Sequence, residues 1–184
     1  MLQRLPATRL AKELEEEKET AWTASSAGNA TAQGSLGHAV LEQLALNGWN
    51  GSVEDWLDRL RDESGIDAAG AAALKPRIEQ TRELMRTLTA GNQEIRPELP
   101  FVLHDGDRII DGTIDLLCRN DEGITIFDYK FTEADDEALL EACRGQMEIY
   151  GKAAQRAFPE LGKPGISLVV VSSRETRLVS VESL

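Results

Sequence analysis

The chain has 184 residues, enough for one domain with a substantial core and too few for two large ones. Apolar residues make up 41% and charged residues 28%, a globular balance that excludes a disordered chain. The net charge of −12 argues against tight nonspecific binding to nucleic acid, which needs clustered Lys and Arg to neutralise phosphates.

Residues 6–20 read as an exposed helix carrying the acidic run Glu13 to Glu19. The small, polar stretch 23–35 reads as a loop. A helix is expected at about 35–46, where Leu36, Val40, Leu41 and Leu44 recur at helical spacing. Ser52-Val53-Glu54-Asp55 resembles a capping box and opens a helix to about 63. A further helix spans about 68–89, with Pro76 marking a break or a new first turn inside it. Its Lys75, Arg77, Arg82 and Arg86 are the densest basic group and read either as a solvated face or as a track for a phosphate strand.

Three strands follow, at 94–104, 107–118 and 123–131. A hairpin turn at Asp105-Gly106 joins the first two. A loop over 120–123 joins the second and third, so Arg119 pairs with Ile124 and Asp115 falls opposite Asp128. Pro97 and Pro100 make the first strand irregular or an edge. A long helix covers about 135–157 and begins in a second acidic run, Glu133 to Glu141. The apolar run Gly165 to Ser172 reads as a buried strand, and 175–182 as the last strand. The order predicts an α/β domain, with a central mixed sheet flanked by helices and extra helices at the N-terminal end.

The longest apolar stretch is Ile166 to Val171, interrupted by Ser167, so no transmembrane helix is expected. Met1-Leu2-Gln3-Arg4 leads into a charged segment rather than an apolar signal region, and a cytoplasmic location is expected. Cys118 and Cys143 are too few for a four-thiolate zinc or iron–sulfur site.

Chemistry is expected at the end of the third strand. In Phe127-Asp128-Tyr129-Lys130, alternation puts Asp128 and Lys130 on one face and Phe127 and Tyr129 on the other. Asp115 sits between Ile114 and Leu116 and needs a partner or a metal. Two opposed carboxylates are destabilising in a sheet, and a divalent cation between Asp115 and Asp128 resolves the repulsion. The alternatives are a protonated aspartate or pairing with Lys130.

His38 reads either as a hydrogen-bonded core residue or as a ligand. Glu42, one turn later, is either an exposed charge or an acceptor fixing the His38 tautomer. Gln146 lies on the stripe Leu139, Cys143, Gln146, Tyr150, and is either a satisfied core amide or a donor aimed into a cleft.

Taken together, Gly34-Ser35-Leu36-Gly37-His38 with Leu41-Glu42, Gly112-Thr113-Ile114-Asp115, Asp128-Tyr129-Lys130 and Gln146-Met147-Glu148-Ile149-Tyr150 resemble the PD-(D/E)XK nuclease superfamily. The resemblance is nearest to the RecB-like and AddA-like nuclease domain at the C-terminus of helicase–nucleases. It covers about 34–172 in the restriction-endonuclease-like order α-β-β-β-α-β. It implies a single nuclease domain over 1–184 and a DNA exonuclease role in double-strand-break repair and recombination. The DNA substrate would be ends or single strands, the partner a helicase in cis or as a subunit, and no membrane is involved.

The resemblance also implies roles. Asp115 and Asp128 would bind Mg²⁺ or Mn²⁺, with His38 and the Tyr129 carbonyl as further ligands. Lys130 would orient or help deprotonate the attacking water and counter charge at the phosphate. Gln146 and Tyr150 would contact the DNA backbone. Glu42 and Glu98 would support the ligands from behind; the hairpin register places Glu98 opposite Thr113, one side chain along the face from Asp115. Some relatives carry an iron–sulfur cluster with a cysteine before the histidine motif; no cysteine precedes His38, so no cluster is expected. No G-x-x-x-x-G-K-[ST] motif occurs, so any helicase ATPase would be elsewhere. The rival expectations are a catalytically silent nuclease-like module and a stand-alone restriction or CRISPR-type nuclease.

Overall fold

The computed structural model describes residues 3–6 and 24–181, with side chains from residue 32 onward. The helix expected over 6–20 lies, beyond Pro6, outside the described residues. Pro6 itself closes a short strand, β1 (Gln3–Pro6), which the sequence reading did not anticipate.

Three helices come next: α1 (Ala24–Leu46), α2 (Val53–Ser64) and α3 (Ala68–Leu88). α1 corrects the expectation of a loop over 23–35. The stretch holds four alanines among its thirteen residues and no proline, and alanine's helix propensity outweighs the small polar residues between. α2 is capped as expected: the Asp55 N–H donates to Ser52 Oγ at 3.1 Å. α3 runs through Pro76 without a break, a second correction. Its buried face (Ala71, Leu74, Ile78, Thr81, Met85) continues on both sides of the proline, so tertiary packing holds the helix together there. The Trp49 indole N–H donates to Thr89 Oγ1 at 2.8 Å and ties the end of α1 to the end of α3.

The sheet strands are β2 (Glu94–Asp105), β3 (Arg108–Asn120), β4 (Gly123–Lys130), β5 (Gly165–Val171) and β6 (Thr176–Ser180), with α4 (Asp136–Ala157) crossing over between β4 and β5. β2, β3 and β4 are antiparallel neighbours; β4 and β5 are parallel; β5 and β6 are antiparallel. This is the mixed sheet the element order predicted. β3 is long enough to be paired twice on one edge. β1 pairs parallel with Arg108–Asp111, and β4 pairs antiparallel with Leu116–Asn120. Residues 112–115 lie in the gap between these two ladders.

Helices α1–α3 cover one face of the sheet, packing on Leu116, Cys118, Phe127, Tyr129, Val169 and Val171. α4 covers the other, packing on Ile114, Leu117, Ile124, Ile126, Leu168 and Val170. Strand alternation explains most of this, including the split of Phe127 and Tyr129 from Ile124 and Ile126. It fails at one level. Ile114 and Leu116 are two residues apart yet pack in opposite layers, as do Ile95 and Leu99 on β2. Pro97 pairs with Leu116 and Leu99 with Ile114, so the reversal falls at Glu98 and Asp115 on both strands. Glu98 has φ +45°, the left-handed backbone that such a reversal demands.

Candidate metal centre

The β3–β4 register is the expected one, with Arg119 opposite Ile124, but the ladder stops at Leu116 opposite Phe127. Beyond it the strands part. The Tyr129 N–H donates to Asp115 Oδ2 at 2.8 Å, so a side-chain carboxylate fills the place of a backbone carbonyl. The reversal at Asp115 turns that carboxylate into the gap along the β3 edge.

α1 delivers His38 to the same oxygen, with Nδ1 at 3.4 Å from Asp115 Oδ2. The imidazole stands edge-on to Tyr129, with ring centroids 5.8 Å apart, and tilted against Phe131 at 5.7 Å. Gly37 makes this approach feasible. A Cβ there would lie 2.1 Å from Phe131 Cζ, inside the ring's own volume. Burial pushes the His38 pKa down, against the opposing charge of Asp128, and favours the neutral imidazole that can ligate.

Glu98 completes the group. One donor atom each from His38, Glu98 and Asp115 lies within 4.8 Å of the other two. The hairpin expectation had set Glu98 two residues away, opposite Thr113. The turn is Gly106-Asp107 instead, because Gly106 takes the positive φ (+61°) at the first central position of the turn. The one-residue displacement of the turn shifts pairing by two and brings Glu98 level with Asp115. A glutamate flanked by Pro97 and Pro100 on a strand was the signal for this irregularity.

The electrostatics of the group are those of crowded carboxylates. Burial, and then the charge of Asp128, raise the Asp115 pKa well above the usual carboxylate range, and the Tyr129 N–H opposes them in part. Burial raises Glu98 as well, helped by Glu42 and Asp128. Glu42, one turn beyond His38 on α1, therefore acts on this group through its charge. Nitrogen and oxygen donors that repel one another at this range fit a hard divalent cation, which would relieve the repulsion.

Asp128 stands beside the group of three, not within it. Its side chain is 1% exposed, and its Oδ2 lies 2.7 Å from Lys130 Nζ. Burial alone would lower the Lys130 pKa; the Asp128 carboxylate outweighs it and raises the pKa, so the ammonium form is held. The shared face of Asp128 and Lys130 is the one alternation predicted. Tyr129, between them, turns its ring into the α1–α3 layer, where its hydroxyl is buried without a hydrogen-bond partner.

Gln146 and Tyr150 lie on one face of α4, as their spacing requires. Lys130 Nζ donates to Gln146 Oε1 at 2.9 Å, Gln146 Nε2 donates to the Tyr150 hydroxyl at 2.8 Å, and that hydroxyl donates to the Thr113 carbonyl at 2.7 Å. Sequence reasoning missed Phe131 and the Thr113 carbonyl, since neither carries a chemical signature of its own.

The basic group on α3 is engaged. Lys75 pairs with Glu54 at 2.6 Å, Arg82 with Glu79 at 2.8 Å and Arg86 with Glu83 at 3.5 Å, while Arg77 donates to the Val171 carbonyl at 2.7 Å. Cys118 and Cys143 are both buried, on opposite faces of the sheet, and form no disulfide. Burial pushes the Cys118 thiol up to about 12. Among the described residues, no helix is long and apolar enough to cross a membrane.

No curated protein matches the chain. The crystal structure of SSO0001 is 14% identical, with a TM-score of 0.40 over 95% of this chain and 76% of that one. A family model also matches nearly the whole chain. It runs from residue 9 to residue 182, and the chain belongs to the PD-(D/E)XK nuclease superfamily.

Proposed function

We propose that the chain is a divalent-metal-dependent deoxyribonuclease, an exonuclease module of the RecB-like type that works beside a helicase in double-strand-break repair. The observation that carries the hydrolytic part is the convergence of His38, Glu98 and Asp115 within 4.8 Å, next to the Asp128–Lys130 ion pair at the end of β4. His38, Glu98 and Asp115 would hold Mg²⁺ or Mn²⁺, with Asp128 and the Tyr129 carbonyl beside them. When bound, the cation supplies Lewis-acid polarisation of the phosphoryl oxygen and lowers the pKa of water. Lys130 presents its ammonium to the phosphate and to the attacking water, and counters negative charge as it develops in the transition state. Asp128 keeps that ammonium in place and charged. Asp115, through its bond from the Tyr129 N–H, sets the separation of the two strand ends.

The helicase-linked part rests on the motif series around His38, Asp115, Asp128 and Gln146 and on the charge distribution. The chain carries −12, and the basic residues of α3 are already engaged within the domain. That suits a module to which DNA is delivered, because tracking phosphates unaided needs free Lys and Arg. The test is degradation of end-labelled linear DNA and of covalently closed circles in Mg²⁺, in Mn²⁺ and in EDTA, with Asp115→Asn as control. Metal-dependent loss of linear DNA with circles spared is the expected result. Cutting of circles at the same rate would overturn the exonuclease reading, and no metal-dependent cleavage would overturn the hydrolytic one.

A further inference from the structure

We infer that Gln146 and Tyr150 are positioning residues for Lys130 rather than contacts to DNA: they form a hydrogen-bonded strut from the Thr113 carbonyl to the Lys130 ammonium. For cleavage the inference rests on the nuclease reading above; for the placement of Lys130 it does not.

The direction of every bond in the strut is fixed by chemistry. The Thr113 carbonyl only accepts, so the Tyr150 hydroxyl must donate to it at 2.7 Å. The phenol oxygen is then the acceptor for Gln146 Nε2 at 2.8 Å. That leaves Gln146 Oε1 facing Lys130 Nζ at 2.9 Å. The reverse amide orientation would set an NH₂ against an NH₃⁺, donor against donor, so it is excluded. Tyr150 is 3% exposed and stands edge-on to Phe101, with ring centroids 5.8 Å apart. Burial raises the phenol pKa, so the proton that reaches Thr113 stays on Tyr150.

A DNA phosphate would reach that hydroxyl only by breaking a bond already made. At the other end, the Lys130 ammonium lies in an ion pair with Asp128 Oδ2 at 2.7 Å and donates to Gln146 Oε1. Its remaining donor capacity is what a phosphate or water can take. The fixed end of the strut has a consequence of its own. Thr113 lies in the 112–115 gap of the β3 edge, two residues before Asp115. One chain of bonds thus sets the distance between Lys130 on β4 and the stretch of β3 that carries Asp115, and it does so from α4, in the layer opposite His38.

The experiment uses the full chain and two kinds of readout. The first is the order parameter of the Lys130 NH₃⁺ group from ¹⁵N relaxation, measured without DNA or metal. It should fall in Gln146→Met and in Tyr150→Phe, both close to the original in volume, and recover in Gln146→Glu, which keeps an oxygen for Lys130. The second is steady-state cleavage of linear DNA. In Gln146→Met and Tyr150→Phe, kcat should fall about 10–100-fold with KM held within about twofold, the signature of misplacing a group that acts in the transition state. An unchanged Lys130 order parameter overturns the inference whatever the melting temperature does, because the two residues are then merely structural. A raised KM with kcat preserved also overturns it, because Gln146 and Tyr150 then contact DNA. If the wild-type chain cleaves nothing while the order parameter still depends on Gln146, the nuclease reading fails and the positioning of Lys130 stands.

Discussion

Asp115→Asn should reverse its effect on stability when a divalent cation is added. Without metal, Asp115 and Glu98 hold carboxylate oxygens within 4.8 Å of each other. At that separation two full charges repel by roughly 3 kcal/mol in an effective dielectric of about 20. Burial, with the charge of Asp128 acting on both groups, raises the two pKa values and favours bound protons, so about 1–2 kcal/mol is a fairer figure for what Asn relieves. Asn keeps an oxygen for the Tyr129 N–H, so that hydrogen bond survives. At roughly 2–4 °C per kcal/mol for a chain of this size, the variant should melt about 2–8 °C above wild type in EDTA. With Mn²⁺ at about a hundred times its Kd, wild type gains about 2.7 kcal/mol and the variant gains little, so the order inverts. The pH dependence has a definite sign. A carboxyl whose folded pKa is raised destabilises the fold above that pKa and ceases to do so below its unfolded pKa. The advantage of Asn in EDTA should therefore shrink as pH falls toward the ordinary Asp value of 3.8. Calorimetry in EDTA and in Mn²⁺, at pH 7 and near pH 4, tests all of this. An Asn variant less stable than wild type in EDTA would refute the reasoning, because the carboxylates would then not be in conflict.

Lys130→Ala should fold normally and keep its Mn²⁺ affinity in titration calorimetry, while cleavage falls roughly 10²–10³-fold, the scale of losing one charge-stabilising group. Tyr129→Phe removes a buried hydroxyl that has no hydrogen-bond partner, so it should stabilise the chain by up to about 1 kcal/mol in urea unfolding and leave cleavage intact. Gly37→Ala gains about 1 kcal/mol of helix propensity but must displace Phe131, at a cost of about 1–3 kcal/mol. A lower urea midpoint and weaker Mn²⁺ binding are expected, since Phe131 also packs on His38.

The sequence carried the strand series, the β3–β4 register and the two-faced end of β4, because each follows from period-2 alternation and a short loop. Pattern reading missed α1 before residue 35, where alanines among small polar residues carry helix propensity without an apolar period. It misplaced Glu98, because the level of a residue across a hairpin depends on which residue takes the positive φ, and Asp105-Gly106-Asp107 offers two settings. His38 and Asp115 were legible as neighbours through the family resemblance alone, not from the strand and helix patterns. Their meeting depends on a reversal of side-chain faces at Glu98 and Asp115 that breaks the alternation by which strands are read. Gln146 and Tyr150 were legible as one face of a helix; what they bond to was not, since half of the chain of partners is backbone.

The dispersal of the site along the chain bears on how such a molecule behaves before it is native. His38, Glu98, Asp115 and Lys130 come from α1, β2, β3 and β4, and the brace on Lys130 comes from α4. The stretch from His38 to Tyr150 that contains them all takes up about three-fifths of the 184 residues. A nascent chain leaving the ribosome thus has the cation group only once β3 has paired with β2, and a braced Lys130 only once α4 has emerged and docked. The lysine is therefore fully held only in a chain whose two helical layers are both in place on the sheet.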